Sequence, residues 1–336
     1  MSGRPPAFLL VLLALVVFVS PQAAFSSESS PESSAGEVEK LSEVDSTEVY
    51  WHVQAVARDL EQIRVFMGRP HVDPAGIMVQ GVAPREVIYQ AATLFKKVNR
   101  LSYETIREVA DEPVVPERDI TPADVLAFVQ LAHKQVKEIA RKREIELTES
   151  PVTKTDDPMT STDVYEAVVQ LNRQINLMLD RRFAPEDVFE EVTLAIAHAA
   201  SLRGRWPGRR IPSEPEWQIG KQPADVYRML LECLELVRPI AKDADLAILE
   251  FSVDEARASE VTPSDVYDVA VLIVSELAYL DRVLSDDPSK RRARYPGQKV
   301  PSDVFQRVEI LRTQLQEVND LLEANPAVEK EARDHD

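Results

Sequence analysis

The sequence has few of the residues on which several common functional sites depend. It contains nine glycines in 336 residues, well below the ~7% that soluble proteins average. Glycine-rich phosphate loops and a dinucleotide-binding fold are therefore disfavoured from the outset. There is a single cysteine, Cys233, so no intrachain disulfide can form. Proline, in contrast, is plentiful, with 23 copies.

Local catalytic and metal-binding motifs are also missing. No His-x-x-x-His, Glu-x-x-His or Cys-x-x-Cys spacing occurs, so zinc, di-iron and haem sites lack their usual local ligand patterns. No Gly-x-Ser-x-Gly motif, Walker loop or dinucleotide fingerprint is present either. The sequence therefore predicts no catalytic residue, no metal and no cofactor, and we expect that the protein is not an enzyme.

Positive charge is in short supply. The chain has 39 Lys and Arg against 57 Asp and Glu, a formal net charge of −18. Such an acidic surface argues against nucleic acid or anionic lipid as a general partner. Apolar residues make up 44% of the chain, which is enough to build a core and excludes a wholly disordered protein.

The N-terminus has the layout of a secretory signal peptide. Arg4 precedes an unbroken apolar run of 12 residues, 8–19, which is short for a membrane span of ~20 residues. We predict cleavage after Ala24, so that residues 1–24 are removed and the protein is exported to the periplasm or secreted, with bacterial export favoured. An uncleaved membrane anchor is the alternative. Residues 25–44 are acidic and serine-rich, which predicts a flexible tether.

A short phrase recurs eight times in the rest of the chain and is best preserved as Thr262-Pro263-Ser264-Asp265-Val266-Tyr267. Its valine recurs at intervals of 38, 38, 39, 24, 38, 40 and 38 residues. The short interval of 24 residues divides the repeats into two sets of four. The eight valines are Val49, Val87, Val125, Val164, Val188, Val226, Val266 and Val304.

The phrase is a helix start with a physical reason at each position. Proline at the first helical position loses no hydrogen bond, because that N–H is unpaired in any helix. The acid at the third position can accept a hydrogen bond from the N-cap backbone N–H, and it favours the positive helix end. The recurring acids are therefore interpreted as capping groups rather than metal ligands or catalytic acids.

Apolar residues follow each valine at 4, 7, 11 and 14 positions further on, and no polar residue intrudes. Alternating steps of four and three form the seam of a bundle helix. The pattern predicts an all-α fold of eight amphipathic helices from a ~38-residue repeat. We expect two related four-helix units, residues 45–182 and 183–324, packed together or fused into one bundle, followed by a disordered tail, residues 325–336. A solenoid is the alternative.

The connections between the predicted helices are long, except for the fourth and fifth helices, which residues 180–183 join tightly. The tight connection predicts that these two helices are antiparallel neighbours. The other connections are long enough to return to the end of the bundle from which the helix started, so helix direction stays open.

Two of the long connections resemble each other beyond the repeat. In both, an aromatic residue precedes Pro-Gly, and basic residues lie close by. If helices alternate in direction, both loops lie at the same end of the bundle and form one cationic face. This face, called the basic arms below, is the candidate site for a partner or an anion; the alternative is that the arginines only neutralise nearby acids. Its residues are Arg205, Trp206, Arg209, Arg210, Arg292, Arg294 and Tyr295.

Two classes of function are consistent with these features. The first is an exported, non-catalytic scaffold, adaptor or sensor-like module that binds another macromolecule of the cell envelope, either a protein or an acidic polymer. The second is a helical bundle that binds a small ligand, an anion in particular. Both expectations exclude nucleic acid and stable membrane insertion after signal cleavage. The partner, the host and the oligomeric state do not follow from the sequence.

Overall fold

The computed structural model describes residues 44–71, 78–148, 157–208, 212–252, 261–285, 288 and 297–324. The predicted signal peptide, residues 25–43 of the tether and the predicted tail lie outside these ranges. The described part of the chain folds into helices, which confirms the all-α prediction, with two short strands, β1 (Met78–Gln80) and β2 (Glu250–Ser252). The eight helices are α1 (Ser46–Phe66), α2 (Pro84–Ile106), α3 (Pro122–Lys142), α4 (Ser161–Met178), α5 (Pro185–Arg203), α6 (Pro223–Asp243), α7 (Pro263–Leu284) and α8 (Pro301–Ala324).

The recurring acids cap the helices as the sequence predicts. In α2 to α8 the acid at the third position accepts a hydrogen bond from the N-cap backbone N–H, at 2.6 to 2.9 Å. In α1 the two residues exchange roles: the side chain of the N-cap residue, Asp45, accepts a hydrogen bond from the backbone N–H of the third residue, Glu48, at 2.8 Å. Each helix start thus pairs a backbone N–H that an isolated helix would leave open.

The predicted seams form the core. In every helix the repeat valine and the four apolar positions that follow it are buried. The most buried helix is α7, in which every residue from Val266 to Leu277 is buried. A helix that is apolar on nearly all sides fits only where other elements surround it.

Helices of the first set, α1 to α4, run parallel to one another. The Asp180 N–H donates to Glu104 at the ends of α4 and α2 at 2.8 Å, whereas Gln90 Nε2 contacts the Tyr165 hydroxyl near their starts at 3.4 Å. The starts of α1 and α4 meet as well, where the hydroxyls of Ser46 and Ser161 lie 3.3 Å apart.

The third helix follows the same direction. Gln62, near the end of α1, accepts a hydrogen bond at 2.7 Å from the N–H of Thr148, which follows the end of α3. Lys142 at the end of α3 also forms an ion pair of 2.7 Å with Glu108, just beyond the end of α2. Each long connection therefore carries the chain back along the bundle to the end where the previous helix began.

The second set, α5 to α8, has the same arrangement. Near the starts of α7 and α5, Tyr267 donates to Glu191 at 2.9 Å, and further along His198 Nδ1 lies 2.8 Å from Asp281 Oδ2. The ends of α8 and α6 meet where the Asn319 amide donates to the Leu236 carbonyl at 2.9 Å. In both sets the third and fourth helices each pack against the first and the second, so the first and second helices lie on a diagonal.

The two sets are antiparallel to each other and meet mainly through α2 and α7. Arg85 at the start of α2 forms an ion pair of 3.7 Å with Glu276 in the second half of α7. Further along α2, Lys97 Nζ lies 5.7 Å from the ring centroid of Tyr267 at the start of α7. Strands β1 and β2 add an antiparallel pair between the sets, and the chain from Leu41 onward clusters as one compact unit. The division into units 45–182 and 183–324 stays a prediction.

The tight connection between α4 and α5 reverses the chain direction, as expected, but does not make the two helices neighbours. Within the described ranges α4 packs mainly against α1 and α2, while α5 packs mainly against α7 and α8. The reason is that each helix buries its seam inside its own set.

Candidate functional site

The C-terminal ends of the first helix set enclose a pocket of about 210 Å³. We call it the end pocket. It opens at the end of the bundle because all four helices of this set are parallel and finish there. Its lining residues come from α1, α2, α3 and the segment after α4: Ile63, Phe66, Met67, Glu104, Thr105, Ile139, Arg143, Ile145 and Asp180.

Two helix-terminating turns shape the walls of the end pocket. After α1 the Arg69 N–H donates to the Arg64 carbonyl at 3.1 Å, and Gly68 adopts a positive φ of 64°. After α3 the Ile145 N–H donates to the Ala140 carbonyl at 2.9 Å in the same manner. These are Schellman turns, which satisfy helix-end carbonyls within the chain.

The lining of the end pocket is part apolar and part polar. Ile63 and Ile139 on its apolar side are fully buried. Phe66 is 53% exposed although it lines the pocket, and its neighbour Val65 is 62% exposed. Exposed aromatic and aliphatic side chains beside a depression that also carries polar groups are typical of a protein-binding surface. The polar lining residues are Glu104, Thr105, Arg143 and Asp180.

The acids of the end pocket already have partners. Glu104 accepts hydrogen bonds from the backbone N–H groups of Asp180 and Arg181, at 2.8 and 3.0 Å. The Asp180 carboxylate forms an ion pair with Arg69. In the described part of the chain, the guanidinium of Arg143 has no hydrogen-bonding or ion-pair partner, although it lines the same pocket. A ligand in the end pocket would therefore contact one cation, Arg143, that has no partner in the described part of the protein.

A second polar cluster lies between the two helix sets. Lys97 is completely buried, donates to the Asn172 carbonyl at 3.1 Å and lies 4.9 Å from the ring centroid of Phe183. Burial lowers the pKa of Lys97 to about 8, while the nearby Asp268 carboxylate opposes the shift. Arg173 of α4 joins this cluster through a 2.8 Å ion pair with Asp268.

Two carboxyl groups of this interface face each other near the start of α2. Glu86 and Glu276 are both buried, with Arg85 beside them at 2.6 Å from Glu86 and 3.7 Å from Glu276. Burial raises the pKa of Glu276 to about 8, and the Glu86 carboxyl adds to the rise while Arg85 opposes it. Burial likewise raises the pKa of Glu86. Arg85 and Glu86 lie on α2 and Glu276 lies on α7, so we interpret these groups as structural contacts that hold the two helix sets together.

A chain of two imidazoles and a carboxylate connects α1 and α3. His133 Nε2 lies 2.8 Å from Asp59 Oδ2, and its Nδ1 lies 3.3 Å from Nε2 of His52. Arg58 donates to the other oxygen of Asp59 at 2.8 and 2.9 Å. The nitrogen and oxygen atoms point at one another rather than converging on a common point. Within the described ranges no group of three or more His, Cys, Asp or Glu side chains is arranged to hold a metal ion.

Cys233 is completely buried on the α6 seam, as its position in the repeat predicts. Burial raises the pKa of its thiol far above the ordinary value, which is the behaviour of a packed side chain and not of an activated nucleophile. Among the described residues, no helix is both long and apolar enough to cross a membrane.

The basic arms fall mostly outside the described residues: Arg209, Arg210, Arg292, Arg294 and Tyr295. The other two lie just after α5, where the Arg205 guanidinium lies 5.2 Å from the ring centroid of Trp206. Trp206 packs against the core, and Arg205 is exposed. The helices of a set all run in the same direction, so the alternation from which one shared cationic face was predicted is not found. Both loops nevertheless leave from the same end, because α5 and α7 are parallel.

Sequence reasoning missed the end pocket and the polar cluster between the sets. No pattern in the repeat distinguishes Arg143 or Phe66 from other residues near a helix end. A signal for the cluster was present in α7, where Val269, Val271 and Val274 fill positions outside the seam. Such a helix must be covered on more than one side.

Comparison with known proteins supplies no relative, since no protein-family model, curated protein or solved structure matches this chain.

Proposed function

We propose that this protein is an exported, non-catalytic binding module that docks another protein of the cell envelope through the end pocket. The observation that carries the proposal is a partly exposed aromatic side chain, Phe66, at a small pocket of mixed apolar and polar lining where the first helix set ends. Export rests on the predicted signal peptide. The role is that of a scaffold, adaptor or sensor-like module without chemistry of its own.

Pocket size favours a protein partner over a small ligand. Pockets for drug-sized molecules measure about 300–1,000 Å³, whereas the end pocket measures about 210 Å³. A pocket below that range suits an inserted side chain, and protein interfaces commonly centre on such an anchor.

Two exposed aromatic residues provide a matched test of this proposal. Phe66 is 53% exposed and lines the end pocket, while Tyr103 is 52% exposed on the last turns of α2 and does not line it. A hot-spot truncation costs at least ~2 kcal/mol, which is about a 30-fold loss of affinity. Phe66→Ala should therefore weaken partner binding strongly, whereas Tyr103→Ala should have little effect.

The measurement is affinity capture of the mature protein from its own host, with quantitative mass spectrometry of the partners. We expect one or more envelope proteins to be retained by the wild type and by Tyr103→Ala and to be lost with Phe66→Ala. Equal capture by all three proteins would contradict the end pocket as the docking site. A small molecule that remains bound through purification and is released from Phe66→Ala would favour the alternative, a small-ligand carrier.

A further inference from the structure

We infer that the end pocket recognises the C-terminal residue of its partner, taking a large apolar side chain into the pocket and its terminal carboxylate onto Arg143. This inference rests on the proposed function, because it names the chemistry of the partner at the same site. The inference follows from the hydrogen bonds and ion pairs that the other polar groups of the pocket already form.

Part of the pocket lining is apolar. Five lining residues are apolar and come from α1 and α3 or from the turns after them; we call them the apolar wall: Ile63, Phe66, Met67, Ile139 and Ile145. Burial of apolar surface from both partners favours an aliphatic or aromatic side chain over a polar one.

The polar lining residues other than Arg143 already have hydrogen-bonding or ion-pair partners. Thr105 donates to the Leu101 carbonyl at 2.7 Å, and Glu104 accepts two backbone N–H groups. Asp180 is paired with Arg69. Among the described residues, Arg143 is the lining side chain that a docked partner would cover without any compensating bond. A covered and unpaired guanidinium is costly, and a carboxylate is the acceptor that pairs with its two N–H groups in a fork.

The helix dipoles oppose this assignment, since four helix C-termini concentrate partial negative charge at this end and would attract a cation. Two features reduce that attraction. Schellman turns occupy helix-end carbonyls after α1 and α3. Arg143, the C-cap residue of α3, carries a full positive charge, whereas the partial charge at a helix C-terminus is about half a unit.

The C-terminal residue of a partner suits the end pocket better than an internal acidic residue does. The apolar wall and Arg143 line one pocket of about 210 Å³, so both must be met over a very short distance. A C-terminal residue carries its side chain and its carboxylate on the same Cα. Capture of a terminal carboxylate is a known mode of peptide recognition. An internal segment would need to supply the two groups from separate residues in the same space.

The experiment uses the mature protein and two probes, a library of random hexapeptides with a free C-terminal carboxylate and the same library with an amidated terminus. Four proteins are compared: the wild type, Phe66→Ala, Arg143→Gln and the control Arg141→Gln. Arg141 is exposed on the last turn of α3 and forms an ion pair of 2.5 Å with Glu138. Selected peptides are then measured singly by fluorescence polarisation.

We expect the free-acid library to yield peptides that end in Leu, Ile, Met or Phe. Their affinity should fall at least tenfold on amidation and at least tenfold with Arg143→Gln, with little change for Arg141→Gln. Equal enrichment of apolar peptides from the amidated library, or enrichment of internal Asp, Glu, Lys or Arg, would overturn the terminal-carboxylate inference and leave the proposed function standing. No peptide that depends on Phe66 in either library, together with host capture unaffected by Phe66→Ala, would overturn both.

Discussion

His133 of α3 lies between two groups of α1, with Nε2 at 2.8 Å from Asp59 and Nδ1 at 3.3 Å from His52. Burial lowers the pKa of both imidazoles; the Asp59 hydrogen bond opposes this for His133, while proximity to His133 lowers the pKa of His52 further. Lys137 on α3 acts in the same direction on both rings. The contact between α1 and α3 is therefore built for neutral imidazoles.

We predict that acid weakens this contact. A folded-state pKa below the unfolded value of ~6.5 means that the unfolded chain binds protons more readily. The stabilisation is complete above about pH 6.5 and is lost as the pH falls through the folded-state pKa values. Proton NMR titration should show His52 and His133 titrating below 6.5.

Urea melts of His52→Gln should show a shallower loss of unfolding free energy between pH 7 and 5.5 than the wild type. Gln316→Ala at an exposed position of α8 serves as the control, because it removes no titratable group and should leave the pH profile unchanged. Histidine pKa values at or above 6.5 for both rings would contradict this account.

The carboxyl pair between the sets gives the opposite pH dependence. The pKa of Glu276 is raised to about 8 by burial and by Glu86, so its contribution to stability is fully present below the unfolded value and is lost as the pH rises towards 8 and beyond. Glu276→Gln should therefore raise the melting temperature relative to wild type more at pH 9 than at pH 5. Glu323→Gln, a change at an exposed position of α8, should shift neither value, and a pH-independent effect of Glu276→Gln would refute the raised pKa of Glu276.

Capping acids should affect stability and not binding. Asp163 accepts hydrogen bonds from Thr160, through the backbone N–H at 2.7 Å and the hydroxyl at 2.6 Å. Asp163→Ala should cost ~0.5–2 kcal/mol of unfolding free energy. Asp265→Ala should cost more, because Asp265 also forms a 3.0 Å ion pair with Arg173 of α4. Thermal melts give the comparison, and a loss of partner capture at an unchanged melting temperature would show that these acids are functional groups.

Truncation of a seam residue should be far more costly than a surface change. Leu277 is completely buried in α7, so Leu277→Ala should cost ~2–5 kcal/mol in denaturant melts. Gln314, which the repeat pattern places at the surface of α8, is in fact only 7% exposed and is not a suitable control. The exposed Gln316 takes that place, and Gln316→Ala should stay within ~0.5 kcal/mol. Equal costs would show that the helix register is wrong.

The basic arms stay a prediction from the sequence, and salt separates them from the end pocket. A guanidinium-rich face would bind an acidic protein or polymer mainly through association rate, so capture should weaken above ~0.15 M salt, where the Debye length is ~8 Å. Charge reversal at Arg209 and Arg210 should abolish such capture and leave helicity and melting unchanged. Partners that are indifferent both to salt and to these substitutions would refute the basic arms. Docking in the end pocket involves one proposed ion pair, at Arg143, and should therefore respond less to salt than a guanidinium-rich face.

Local features of the molecule were readable from the sequence because their causes are local. A proline and an acid within one turn determine where a helix starts, and a step of three or four residues determines which face is buried. Val266 with its four seam partners and the Asp265 cap are therefore found in the structure where the repeat pattern places them. Gln314 is the exception, because its burial depends on the helices that pack around α8.

The sequence by itself determined an all-α fold, the capped starts of its helices and their apolar seams. The tertiary structure alone decided that the helices within a set are parallel, that the sets are antiparallel and joined through α2 and α7, and that the ends of the first set enclose a pocket beside Arg143. The physical reason is that loop closure depends only weakly on loop length, so long connections permit either helix direction. The outcome is then settled by contacts between residues far apart in the chain, such as Arg85 with Glu276, which no local pattern encodes.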